Sequence, residues 1–293
     1  MRVGMREGRL SRCSRNARPE KALVGRAHVR ITAPPSLRRW MDETMAGRLV
    51  LIAMGLLIAS TAVRAEPPSV IEVAKFSSGT IGQVMPEGWK PLTFKKIPKH
   101  TSYEVVKDGE LAVVKAVSEA SASGLTKPVR IDPKEFPIVR WRWKIDHLLN
   151  GSDVALKSGD DFPARLYITF EYDPEKVSFG KKLKYKAGRA IFGDIPIGAL
   201  NYIWETKTPI GTIVDNAYTD FAQMIVVESG PQKVGTWVVE ERNIYEDYKR
   251  AFGEEPPMIN GVAIMTDTDN TKEQATAYYG DIVFQRSVQA SGR

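Results

Sequence analysis

Two short segments carry the side chains best suited to gripping a polar ligand. In Arg140-Trp141-Arg142-Trp143-Lys144, strict alternation along an extended strand sends Trp141 and Trp143 to one side and three cations, Arg140, Arg142 and Lys144, to the other. In Ala164 to Glu171 the apolar set Ala164, Leu166, Ile168 and Phe170 leaves Arg165, Tyr167, Thr169 and Glu171 opposite. If the two strands are neighbours, their polar faces combine into a surface of guanidinium, phenol and carboxylate groups. That chemistry suits hydroxyl-rich or anionic ligands. The plainer use of the same pattern is a solvated outer face laced by cross-strand Arg–Glu pairs, as is common in antiparallel sheets.

Ser158-Gly159-Asp160-Asp161-Phe162-Pro163 immediately precedes the second segment. Adjacent carboxylates on a glycine-containing turn could bind Ca²⁺ through oxygen or supply an acid or base at the rim of a sheet. Turn formation is the simpler role, because Asp hydrogen-bonds nearby backbone. The candidate ligand-binding set is therefore Arg142, Asp160, Asp161, Arg165 and Tyr167. Asp267-Thr268-Asp269-Asn270 opens like a calcium loop, but the downstream Gly and bidentate Glu of an EF-hand are not in place, which leaves an oxygen-rich turn. From residue 66 onward the histidines are His100 and His147 and there is no cysteine, so zinc and haem sites are not expected. No GxSxG, P-loop or GxGxxG occurs; carboxylate-only chemistry stays open.

The elements that must position these residues read as β-strands. Period-two segments run over Tyr103 to Val106, Leu111 to Val117, Ile138 to Ile145, Pro163 to Tyr172, Ala199 to Trp204, Phe221 to Val227, Gly235 to Arg242, Gly261 to Met265 and Tyr278 to Phe284. Asp108-Gly109 marks a hairpin between the first two. One helix is predicted over Ile244 to Phe252, with Asn243 as N-cap, Glu246 completing a capping-box-like pair and Gly253 ending it. The fold class is all-β: a two-layer antiparallel β-sandwich of the jelly-roll kind with one short helix near the C-terminal end. Val177 to Leu200, with Lys181, Lys182, Lys184 and Lys186 among glycines and prolines, reads as a long loop.

Ahead of this domain lies a leader. Arg48 supplies a positive n-region, Leu49 to Ile58 is apolar, and Val63-Arg64-Ala65 provides a cleavage point before Glu66. The apolar core is shorter than the roughly 20 residues of a membrane span. The expected organisation is a mis-assigned or disordered extension over residues 1–44, a signal peptide over 45–65 and one β-sandwich domain over 66–293. An Arg-rich targeting arm is the alternative for residues 1–44. The leader reverses the meaning of the charge. The chain has 42 Lys+Arg against 35 Asp+Glu, but residues 1–65 hold 13 and 4 of these, leaving 29 against 31 and a net charge of −2. The basic balance that would have pointed to nucleic acid goes with the leader. The only cysteine, Cys13, also lies upstream, so no disulfide is expected in the exported product.

The combination Arg140 to Lys144, Ser158 to Tyr167 and Leu200-Asn201-Tyr202-Ile203-Trp204 resembles the exported bacterial family known as domain of unknown function 3047. Asp247-Tyr248, Phe252-Gly253, Thr266 to Thr271 and Tyr279 to Phe284 extend the resemblance, which runs from about Phe76 to Phe284. It implies no catalytic residue and no substrate. A second likeness is architectural. The Trp237 strand, the short helix and the final Gly-Asp-Ile-Val-Phe strand are similar to galactose-binding-type jelly rolls of carbohydrate-binding modules. In such folds an acidic residue near the last strand helps hold a structural calcium, and Asp281 is the matching position.

The expected function is non-catalytic binding of a carbohydrate or other polar envelope ligand in the periplasm or outside the cell. Nucleic acid is not an expected partner, the membrane is met only through the leader, and no cofactor beyond a structural calcium is expected. Alternatives are a carboxylate-dependent polysaccharide hydrolase or lyase, and an envelope assembly factor that binds a protein.

Overall fold

The Asp108–Gly109 turn folds as expected. Gly109 takes a positive φ of 61°, and the strands on either side pair antiparallel with Asp108 opposite Leu111. The computed structural model describes residues 69–171, 175 and 198–287. The leader, the N-terminal extension and residues 177–197 of the lysine-rich loop lie outside the described residues.

Thirteen strands are described: β1 (Val70–Ala74), β2 (Lys90–Leu92), β3 (Ser102–Asp108), β4 (Leu111–Glu119), β5 (Ala122–Ile131), β6 (Ile138–Ile145), β7 (Arg165–Phe170), β8 (Ala199–Glu205), β9 (Ile213–Asn216), β10 (Thr219–Ser229), β11 (Val238–Asn243), β12 (Ile259–Asp267) and β13 (Gln274–Gln285). They form two sheets. The first has the order β11-β6-β13-β4-β3, with β1 also paired to β13; the second has the order β2-β5-β12-β7-β8-β10-β9. All pairs are antiparallel except β8 and β10, which run parallel. The chain returns through β9, and β10 then inserts between β8 and β9, so one pair departs from the antiparallel expectation.

Alternation decides which face packs. Trp141 and Trp143 of β6 are buried, and they meet Tyr202 and Trp204 of β8 across the interior at ring-centroid distances of 5.2 and 6.2 Å. Leu166, Ile168 and Phe170 of β7 join the same core, together with Ile264, Val262, Tyr279 and Phe284. The helix, α1 (Ile244–Phe252), has the expected bounds. The Asn243 side chain accepts from the Glu246 N–H at 3.1 Å, and Gly253 closes the C-terminus at φ 73°. Its Tyr248 packs on Phe170 at 4.5 Å, so the aromatic face of the helix is core. Among the described residues no helix is long and apolar enough to cross a membrane.

The condition that would have merged the polar faces of β6 and β7, that they be neighbours, is not met. β6 lies between β11 and β13 in the first sheet, and β7 between β12 and β8 in the second. The connection from Asp146 to Ala164 carries the chain from one layer to the other, so the outward faces of the two strands look away from each other across the core.

Candidate functional site

Four of the five candidate residues come together at one end of the second sheet. Leu166 faces the core, so Arg165 points outward, yet its relative exposure is only 1%. The β6–β7 connection folds over it. Gly159 ends a single 3-10 turn there, and a Cβ at that position would lie 2.8 Å from the Asp153 backbone nitrogen, so the turn needs glycine. Phe162 then packs with Val154, Ile203, Met224 and Val226 in a small second core on the outer face of the sheet. Its ring also stacks on the Arg165 guanidinium, 4.5 Å from the centroid.

All five guanidinium N–H donors of Arg165 are engaged. Nε donates to Asp267 Oδ1 at 2.7 Å, and Nη2 donates to Asp267 Oδ2 and to the Asp160 carbonyl. Nη1 donates to Asp160 Oδ1 at 3.1 Å and to the Tyr167 hydroxyl at 3.4 Å. Burial works against the charge on Arg165, but Asp267, Tyr167 and Asp160 outweigh it and hold the guanidinium protonated. Burial likewise pushes the Asp267 carboxyl up while the bidentate contact to Arg165 opposes it. With a permanent cation donating to both oxygens, the pair is ionic. Burial raises the pKa of Tyr167 as well, so its hydroxyl stays a phenol.

Asp160 and Asp161 tie this turn to its surroundings. Asp160 Oδ2 accepts from Asn216 Nδ2 at 3.0 Å. Asp161 Oδ1 accepts from Asn270 Nδ2 at 3.1 Å, and its Oδ2 from the Thr271 N–H at 2.6 Å. The Asp267–Asn270 segment, read as a plain oxygen-rich turn, is thus the partner of the Asp160–Asp161 turn, and Asp267 is the residue that sequence reasoning missed. The signal was an acidic, hydroxyl-rich run directly after an apolar strand.

Asp161, Asp267 and Asp269 offer carboxylate oxygens within 4.8 Å of one another. Asp161 and Asp267 receive protein donors on both oxygens, so hydrogen bonds hold this cluster together. Asp281, the expected calcium ligand, is not in the group. Its Oδ1 accepts from the Ser77 N–H at 2.8 Å and its Oδ2 from Ser77 Oγ at 2.6 Å, closing the turn after β1. Both oxygens thus hold Ser77, a structural role for Asp281 that needs no ion.

Arg142, the fifth candidate, lies on the opposite side of the molecule, on the outer face of the first sheet. It belongs to a surface of alternating rings and charges. Lys144 Nζ sits 5.4 Å from the Trp237 ring centroid and 4.3 Å from that of Tyr278, while Lys115 lies 6.0 Å from Tyr278. Lys144 and Trp237 Nε1 donate to Asp108 Oδ2 at 2.8 and 2.6 Å. These donors, Lys144 first, hold the Asp108 carboxyl below its ordinary range. The Arg142 guanidinium stacks on Trp237, 4.6 Å from the centroid. Cross-strand register sets the row: Lys144 faces Tyr278, Tyr278 faces Lys115, and Val239, which is 53% exposed, faces Arg142.

Residues 87–283 match a family model described as protein of unknown function (DUF3047). The chain belongs to this family. No curated protein matches the sequence. Among solved structures, this DUF3047 chain is similar to the family 11 carbohydrate-binding module of the cellulosomal cellulase Lic26A-Cel5E of Clostridium thermocellum, with 8% identity and a TM-score of 0.38 over 77% of this chain and 99% of the module. It is also similar to the family 30 carbohydrate-binding module of the cellulosomal cellulase Cel9D-Cel44B of Clostridium thermocellum (10% identity, TM-score 0.33, 75% of this chain and 99% of that one). A third similar structure is the Spr0440 glycoside hydrolase domain, Endo-D, of Streptococcus pneumoniae R6 (12% identity, TM-score 0.30), where 69% of this chain covers 22% of that one.

Proposed function

We propose that this DUF3047 domain is an exported, non-catalytic recognition domain that binds a saccharide on the outer face of the first sheet. The observation that carries the reading is the pairing of two half-buried rings, Trp237 and Tyr278, with hydrogen-bonding groups fixed between them. Sugar rings are bound by apolar stacking on an aromatic face combined with donors and acceptors at set positions. Trp237 and Tyr278 supply the first, and Lys144, Asp108 and Arg142 the second. Tyr278 stands on β13, and Trp237, in the turn that leads into β11, is tied down by its Nε1 hydrogen bond to Asp108. The signal peptide expected from the sequence over residues 45–65 supports a ligand met outside the cytoplasm.

Affinity electrophoresis through gels containing neutral or acidic polysaccharide tests the reading. The wild-type protein should be retarded on at least one of them, and Trp237→Ala should migrate as in a gel without polysaccharide while keeping its folded circular dichroism spectrum. Equal retardation of Trp237→Ala and wild type would remove this face from consideration.

A further inference from the structure

We infer that Arg142 is the group that selects the ligand on this face, and that the ligand it selects carries a carboxylate: an acidic saccharide rather than a neutral one. The inference rests on the saccharide reading of the outer face and names the substrate class of that same site.

Three observations carry it. First, the guanidinium of Arg142 is held in place without using its donors. It stacks on Trp237. Its stem lies against Gly280, where a Cβ would meet Arg142 Cγ at 2.5 Å and Cδ at 3.0 Å. Gly280 falls within the β-bulge that shifts the β13 register between Tyr279 and Ile282, so the chain makes room for the arginine by an irregularity in the central strand. Second, no described residue accepts a hydrogen bond from this guanidinium, although it is half-buried. A planar fork, fixed in orientation with its N–H groups open, matches a carboxylate bidentately, and little side-chain entropy remains to be lost on binding. Third, Asp108 Oδ2 is taken by Lys144 and Trp237, so Arg142 feels that carboxylate through its field and makes no hydrogen bond to it. Arg142 is thus the cation with open donors beside the Trp237 platform, with exposed Val239 opposite it in register.

The surroundings argue for a discrete carboxylate and against a phosphate polymer. Asp108, Glu104 and Glu241 share this face, Asp146 lies at its edge next to Tyr278, and the chain from residue 66 onward is net negative. A densely charged nucleic acid or anionic bilayer needs several adjacent unpaired cations, whereas here Glu241 faces Arg140, Glu104 faces Lys115 and Asp108 pairs with Lys144. A uronic acid needs one fork beside a ring-sized apolar surface.

The test compares gels containing polygalacturonate, the same polymer methyl-esterified, and neutral dextran. Esterification removes the charge and keeps the ring. Wild-type protein should be retarded on polygalacturonate and at least tenfold less on the ester. Arg142→Ala should lose roughly tenfold to a hundredfold in affinity for polygalacturonate, the range of a charge-assisted bidentate contact. Arg142→Lys, which keeps the charge but not the fork, should not restore it, whereas Arg140→Gln, a cation of the same strand and face, should stay within about threefold of wild type. Gly280→Ala displaces Arg142 without removing it and should weaken binding by a comparable factor.

Equal binding of polygalacturonate and its ester, both abolished by Trp237→Ala and unaffected by Arg142→Ala, would overturn the acidic assignment while leaving the saccharide reading in place. Absence of retardation on all three polymers would overturn both. Full binding by Arg142→Lys, or an equal loss in Arg140→Gln, would mean that retention follows net charge rather than the Arg142 fork. Competition by inorganic phosphate at lower concentration than by galacturonate would replace the carboxylate with a phosphate ligand.

Discussion

Arg165 and Arg142 occupy equivalent positions in their strands, each on the outward side of a segment whose alternate residues are core, yet the molecule treats them in opposite ways. Arg165 lies under the β6–β7 connection with all five donors engaged, to Asp267, Asp160 and Tyr167. Arg142 is held by a ring and a glycine, with no hydrogen-bond partner among the described residues. The difference shows what makes a polar residue structural. A guanidinium whose every donor meets a buried acceptor has nothing left for a ligand, and removing it strands those acceptors in a low-dielectric site. A guanidinium oriented by packing alone keeps its hydrogen-bonding capacity, and removing it leaves no buried group unpaired.

The largest effects should therefore fall on the closed cluster. Arg165→Ala or Asp267→Ala breaks a buried pair and should cost about 3–5 kcal/mol in urea unfolding, similar to the roughly 3–5 kcal/mol expected for deleting the Trp143 indole from the core. Arg165→Lys should recover little, because an ammonium carries three donors on a narrower head and cannot meet the same acceptors. An unchanged unfolding midpoint in Arg165→Ala would erase the distinction between the two regions.

A third buried charge sharpens the comparison from another direction. Glu240 of β11 faces the interior, accepts from Trp143 Nε1 at 3.3 Å and lies close enough to Glu228, itself paired to Lys233, to feel its charge. Burial, then the Glu228 charge, pushes its carboxyl up to about 7 from an ordinary 4.5. Here a buried acid is satisfied by keeping its proton instead of by a guanidinium. The folded protein therefore holds a proton that the unfolded chain releases above about pH 4.5. The associated stability is fully present below that pH and is lost as pH rises through about 7. The loss amounts to roughly 3 kcal/mol, because each tenfold difference in proton affinity between the folded and unfolded chain is worth about 1.4 kcal/mol. Unfolding free energies measured from pH 4 to 8 should show this decline, and Glu240→Gln should flatten it; a slope that persists in the Gln variant would assign the proton elsewhere.

A smaller effect is expected at Asp281. Removing its two hydrogen bonds to Ser77 in Asp281→Ala should cost about 1–3 kcal/mol. The loss should be the same with calcium or a chelator present; a loss seen only with calcium would restore the expected metal role. Arg142→Ala should be smallest, within about 0.5 kcal/mol of wild type in unfolding, while its effect on ligand retention is large. A substantial loss of stability in Arg142→Ala would show that this arginine is as structural as Arg165.

Much of the fold was legible in the residues. β6 and α1 have the expected bounds, because Ile138–Ile145 alternates without interruption and Asn243, Glu246 and Gly253 mark the helix ends. The inward placement of Trp141 and Trp143 follows from the same alternation. β5 was not legible. Gly124 and Pro128 interrupt its pattern, and the strand tolerates them because β2 pairs with it only at Gly124 to Thr126, leaving Pro128 without a ladder partner on that side. The short β1, β2 and β9 carry too few residues to show a period.

Sequence alone determined the local chemistry of this protein: which side chains share a strand face, where the helix starts and stops, and that Asp160, Asp161, Arg165 and Tyr167 lie near one another, since they are close along the chain. Only the tertiary structure decided what that chemistry is for. Asp267, a hundred residues beyond Arg165, reaches it because β12 pairs with β7, and Arg142 is parted from it because β6 and β7 lie in different sheets. Alternation records which way a side chain points, but not what the rest of the chain lays over it. That covering layer leaves Arg165 closed and Arg142 open.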